Sequence, residues 1–235
     1  MRSEPGILEK APNTELLRSL GRLVRGLSAL FWGLPLALII CVQTAKADTL
    51  RSLAFLPSMV ATGWLVFGLF QLNSFQKQER VWVSALDRAK LIALVNLGLS
   101  PFLFWWNRMP DEPFYNAVVG VLAVSGLLFL SSLNVVLYRL SAMLPDESLR
   151  HETKYFTMLN QVLVLGILLL GLLFLVAPQF LASLPWLGPY LSQLNPALLS
   201  LWMLIFLVLL PLAMTMALLW KIKEVILDSV FGMSR

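Results

Sequence analysis

Six ionisable residues stand close together in this chain: Asp146, Glu147, Arg150, His151, Glu152 and Lys154. Glu147 and His151 are four apart, so on a helix they share a face. That pair could pass a proton or hold a metal. Two ligands are too few for a structural metal, which takes four. His151 is the only histidine, and this excludes a bis-histidine haem or any multi-histidine metal site within the chain. The cluster reads instead as a solvated helix start, with acids in the first turn where the macrodipole favours them. No P-loop, no G-x-S-x-G and no H-E-x-x-H occurs. The expectation is a chain with no catalytic residue, no metal site and no cofactor.

A second set of polar residues lies among apolar neighbours. Asn96 and Ser100 are four apart; Ser131, Ser132 and Asn134 follow in a later apolar run. Together they could form one intramembrane patch, a pocket for a solute or a lipid headgroup. The reading preferred is hydrogen bonds between helices, worth about 0.6 kcal/mol each.

The elements that carry these residues are set by an unusual deficit of charge. Between Lys154 and Lys221 lie 66 residues without Asp, Glu, Lys, Arg or His. A span of ~30 Å hydrocarbon takes about 20 apolar helical residues, so this stretch suits two spans and a connector. Pro178, Pro185, Pro189 and Pro196 mark the connector 178–196, which reads as an interfacial helix or a re-entrant loop. Only 13% of the chain is charged, about half the usual share, which leaves room for a membrane bundle and no separate soluble domain. The lone Cys41 carries no information on redox compartment.

The fold class expected is an all-α polytopic membrane bundle. Six spans are read at about 27–43, 52–70, 91–106, 114–137, 155–177 and 197–220, with a polar segment 1–26 before them and a tail 221–235 after. Amphipathic helices are expected at Thr14–Gly26 and Ser74–Lys90 on the cytoplasmic face. The first lies on the headgroups or packs on the bundle end. In the second, Trp82, Ala85, Leu86 and Ala89 make the apolar face, Trp82 sits at headgroup level, and Lys90 snorkels outward. Arg18, Arg22, Arg25, Lys77, Arg80 and Arg88 are candidate contacts to anionic lipid or to a partner. Ala29, Gly33 and Ala37, four residues apart, suit close helix packing. Ala45-Lys46-Ala47 resembles a signal-peptidase site, but the preceding region would be long and acidic for a leader.

Orientation follows from the basic residues. Outside the spans, alternate segments carry fifteen and three Lys and Arg. The positive-inside rule puts the fifteen, and with them both termini, in the cytoplasm. Compact loops suggest a bacterial cytoplasmic membrane. The net charge of +5 is explained by that bias and not by nucleic acid. No Asp, Glu, Lys, Arg or His falls inside a span, which argues against proton coupling. The first expectation is a non-enzymatic membrane subunit or scaffold that packs with lipids and with a membrane-protein partner or its own copies. A small carrier or channel for a solute or lipid comes second, and a membrane-embedded enzyme third.

Overall fold

The computed structural model describes residues 11–46, 53–76, 78–144, 146–181 and 196–231. These residues form α1 (Ala11–Lys46), α2 (Leu56–Leu72), α3 (Arg80–Leu99), α4 (Phe102–Arg108), α5 (Pro113–Ala142), α6 (Glu147–Leu181) and α7 (Pro196–Phe231), with no strand among them. Prolines set several of the boundaries. Pro57 and Pro113 stand in the first turns of α2 and α5, where a missing N–H costs nothing. Pro101 separates α3 from α4. The carbonyl that its absent N–H leaves free, Leu97 O, instead accepts the Ser100 hydroxyl at 3.0 Å.

Among the described residues, three helical stretches are long and apolar enough to cross a membrane: Arg18–Lys46, Arg80–Arg108 and Pro113–Ala142. The second joins α3 and α4. α2 is apolar but has 17 residues, about 25 Å of helix, which is under the ~30 Å hydrocarbon thickness. The expected connector falls partly outside the described residues: α6 runs on to Leu181, and 182–195 are not described.

Neighbouring helices run antiparallel. Gly26 meets Gly68 between α1 and α2, and Ser58 meets Ser100 between α2 and α3. Asn96 meets Ser125 between α3 and α5, Thr157 meets Asn134 between α6 and α5, and Asn160 meets Pro211 between α6 and α7. This up-and-down order gathers Arg18, Arg22, Arg25, Arg80, Arg139 and Lys221 at one end of the bundle. Lys46 and Arg108 lie at the other.

The largest fully buried side chains are concentrated at the basic end: Leu23 and Leu27 on α1, Leu69 and Leu72 on α2, Trp82 and Leu86 on α3, Leu137 and Leu140 on α5, with Leu149 and Leu218. Toward the other end, large apolar side chains point outward, among them Trp64, Phe67, Leu94, Val121 and Val162.

Three expectations are corrected here. Residues 11–26 and the first span are a single helix of 36 residues, with no break at 26/27, and residues 1–10 of the expected segment lie outside the described residues. Leu23 is fully buried while Arg18, Arg22 and Arg25 are exposed, so this part of α1 packs on the bundle end. Trp82 is not an interfacial anchor. It is completely buried, its indole N–H donates to Phe75 O at 3.2 Å, and it meets the Phe75 ring edge-on. Lys90 does not snorkel outward. It is 8% exposed, held by Asp87 at 3.1 Å and by the face of Phe70. Both corrections on α3 share a cause. The amphipathic stretch was expected to lie at the headgroups, and it packs against α2 and α5 instead.

Small residues do draw α1 and α2 together, but the seam begins a turn before the expected one. A Cβ added to Gly26 would lie 2.9 Å from the Gly68 carbonyl oxygen, and one added to Gly33 would lie 2.9 Å from Leu65. Ala37 is buried and Ala29 half-buried. The Gly26 neighbour is backbone and cannot rotate away. Gly26→Ala is therefore expected to destabilise the protein by about 1–3 kcal/mol, the usual cost of overpacking. Gly21→Ala, with nothing within 4 Å, should leave it unchanged. Thermal unfolding in detergent micelles, followed by tryptophan fluorescence, measures both.

Candidate functional site

The polar residues singled out in the sequence do not form one patch. Asn96, Ser100 and Asn134 fall in three separate interhelical clusters, and α5 separates the first from the third. Ser125 and Asn134 are nine residues apart, which places them on opposite sides of α5 and about 13.5 Å apart along its axis. Ser125 faces α3 and Asn134 faces α6 and α7.

In the first cluster, Asn96 accepts the Ser125 hydroxyl on its Oδ1, and its amide nitrogen reaches Ser125 O at 3.5 Å. The second lies one turn further along α3. There Ser100 Oγ lies 3.2 Å from Thr62 Oγ1, and Ser58 Oγ is 3.1 Å from Ser100 O. Ser58, Thr62, Ser100 and Ser125 are all buried. Ser132 bonds Phe129 O on its own helix, and Ser131 is half-buried beside it. Neither joins a cluster.

The third cluster ties three helices at one hydroxyl. Asn134 of α5 and Asn160 of α6 each donate an amide N–H to Thr215 Oγ1 of α7, at 2.8 and 3.0 Å. Thr215 in turn donates to Pro211 O at 2.8 Å. The second N–H of each amide also meets an acceptor, Leu130 O for Asn134 and Pro211 O for Asn160. With acceptors on both sides of each nitrogen, the amide orientation is fixed by chemistry. Asn134, Asn160 and Thr215 are each 0% exposed, and the Oδ1 atoms of both asparagines are left without a partner. Each unpartnered oxygen carries a desolvation cost of about 1–3 kcal/mol.

Ser58, Thr62, Asn160 and Thr215 were not singled out by sequence reasoning. Thr215 carried a usable signal, since it follows an intrahelical proline by four residues and so faces that proline's carbonyl. Asn160 lay in the charge-free stretch with no periodic partner to flag it.

The ionisable cluster is spent on the ends of helices. Asp146 caps α6, its Oδ1 accepting from the Ser148 hydroxyl at 2.7 Å, Ser148 N at 2.9 Å and Leu149 N at 3.2 Å. The Ser148 hydroxyl, with the backbone N–H groups and Lys221 behind it, holds the Asp146 carboxyl below its ordinary pKa. Glu152 pairs with Lys221 across α6 and α7. His151 is exposed. Among the described residues no three of His, Cys, Asp and Glu converge as metal ligands. Of the basic candidates, Arg18, Arg22, Arg25, Arg80 and Arg88 are exposed, and Lys77 lies outside the described residues.

Compared with protein-family models, with curated proteins and with solved structures, the chain matches none.

Because Asn134 and Asn160 share one acceptor, their removal should not be additive. In a double-mutant cycle of Asn134→Ala and Asn160→Ala, a coupling of about 0.6–2 kcal/mol in unfolding free energy is expected. Thr215→Val, which strips the shared acceptor, should abolish it. The Asp146 cap gives a pH signature. A lowered folded pKa stabilises fully above the ordinary carboxylate value, and that contribution is lost as pH falls through the lowered one. Asp146→Asn keeps an acceptor without the charge. Its melting temperature should lie below wild type at neutral pH and converge with it in strong acid.

Proposed function

We propose that this chain is a non-enzymatic, multi-pass membrane subunit or scaffold that packs with lipids and with a membrane-protein partner or further copies of itself. One observation carries the reading. Ser58, Thr62, Asn96, Ser100, Ser125, Asn134, Asn160 and Thr215 turn their polar groups toward neighbouring helices, where a carrier would turn them toward a solute. Such bonds fix one arrangement of helices, which suits a part whose task is to present surfaces.

Six crossings accompany this proposal: α1, α2, α3 with α4, α5, α6 and α7. The antiparallel order supports it, because it sets Arg18, Arg22, Arg25, Arg80, Arg88, Arg139, Lys221 and Lys223 on one side against Lys46 and Arg108 on the other. By the positive-inside rule the basic end faces the cytoplasm, with the start of α1 and the end of α7 on that side. A bacterial cytoplasmic membrane is the location proposed.

A second reading, a small carrier or channel, is favoured by the unpartnered Oδ1 atoms of Asn134 and Asn160 beside Pro211. Two amide oxygens next to a proline within a membrane helix are groups from which a solute or ion site can be built.

Native mass spectrometry of the tagged protein, extracted from its own membrane in mild detergent, separates the two. A reproducible complex with other polypeptides, or a defined homo-oligomer, is the expected result. A lone chain that retains a small polar molecule, released on Asn134→Leu or Asn160→Leu, would replace the subunit reading with the carrier.

A further inference from the structure

Packing of α3 against α5 brings together three arginines from distant parts of the sequence. Arg80 and Arg88 of α3 and Arg139 of α5 line a groove of about 460 Å³, with the hydroxyls of Ser84 and Ser132 and the apolar Val135 between them. Among the described residues no acid lines this groove. Asp87 lines the adjoining surface beside Arg80 and Arg88, but it is paired with Lys90. Among the described residues, ion pairs fall on Lys90–Asp87 and Lys221–Glu152 and none on the three arginines. Arg139 rests over the Tyr138 ring, 5.7 Å from its centre.

The groove continues into an apolar surface at helical spacing. On α3 the stripe Arg80, Ser84, Arg88 runs on as Leu91 and Val95. On α5, running the other way, Arg139, Val135 and Ser132 run on as Leu128 and Val124. Leu91, Val95, Leu128 and Val124 are all exposed. The surface is thus cationic at the basic end and apolar along the crossing, and this gradient matches a molecule with an anionic head and hydrocarbon tails. Guanidinium groups suit a phosphate in particular, since each can offer two parallel N–H donors.

We propose that the α3–α5 groove is a binding site for an anionic phospholipid. Its phosphate sits among Arg80, Arg88 and Arg139 with the Ser84 and Ser132 hydroxyls beside it, and its acyl chains lie along Leu91, Val95, Leu128 and Val124. The pairing of two helices distinguishes this site from the exposed arginines of α1. The stripe Arg18, Arg22, Arg25 also runs on into exposed Trp32, Leu36 and Ile39, but it lies on a single helix, with no second helix among the described residues to close a groove around a headgroup. The site goes beyond the subunit reading and rests only on the membrane location, so a chain found without protein partners leaves it standing.

The test uses the full chain in mild detergent, titrated with dioleoyl phosphatidylglycerol and, separately, with dioleoyl phosphatidylcholine, bound lipid being counted by native mass spectrometry. Phosphatidylglycerol should bind preferentially and at a saturating stoichiometry. Each arginine near a membrane surface contributes about a fivefold gain for an anionic lipid, so R80Q/R88Q/R139Q should weaken binding by about a hundredfold. R18Q/R22Q/R25Q removes the same charge elsewhere and should change it little. Equal affinity for the two lipids in wild type, a measurement that needs no variant, would overturn the proposal. So would equal weakening by the two triple variants, which would mean diffuse charge attraction. Displacement of the lipid by an equimolar concentration of inorganic phosphate would also overturn it, in favour of a free-phosphate site.

Discussion

Hydrocarbon gives two helices no hydrophobic reason to associate, because lipid tails are as apolar as leucine. That constraint divides this protein along its length. At the basic end, where water is near, burial of apolar surface does drive association, and there the fully buried leucines and Trp82 are concentrated. Along the helices proposed to cross, the drive must come from close packing and hydrogen bonds. There Gly33 seats against Leu65, Asn96 against Ser125, and Thr215 against two asparagines. Each mode of cohesion is used where its physics is strongest.

The hydrogen-bonding sites also reflect what a buried helix must do about proline. Pro101 leaves the Leu97 carbonyl without its usual donor, and Ser100 supplies one from its own side chain. At Pro211 the carbonyl accepts from Thr215 one turn on and from Asn160 on the neighbouring helix. A proline thus marks the place where α6 and α7 are joined. Cohesion in this part of the bundle follows the prolines more closely than it follows the leucines.

Much of the architecture was legible in the chain itself. The helical class follows from the charge deficit, and the polar character of Asn96, Ser100 and Asn134 within apolar runs marked them as interior groups. Their partners were not legible. Whether Asn134 meets Asn96 or Thr215 depends on which side of α5 each neighbour takes, and a sequence read helix by helix does not hold that. Trp82 and Lys90 show the same limit from another angle. Their stretch has an apolar face and a charged one, and amphipathicity cannot say whether the apolar face meets lipid or protein. Arg139 went unremarked because its companions, Arg80 and Arg88, are some fifty residues away and become neighbours only when α3 and α5 pair.

The unbroken course of α1 has a mechanical consequence. From Ala11 to Lys46 it is one helix, about 54 Å along its axis, interrupted in its hydrogen-bond ladder only at Pro35. Its arginines project from the bundle end, and its crossing with α2 lies at Gly26 and Gly68, about 12 Å beyond Arg18. The helix therefore acts as a lever with its fulcrum at two glycines, where backbone meets backbone between Leu30 and Leu72. A tilt imposed on the arginine-bearing arm has to reappear on the far side of that fulcrum, in the apolar arm that carries Gly33 and runs to Pro35.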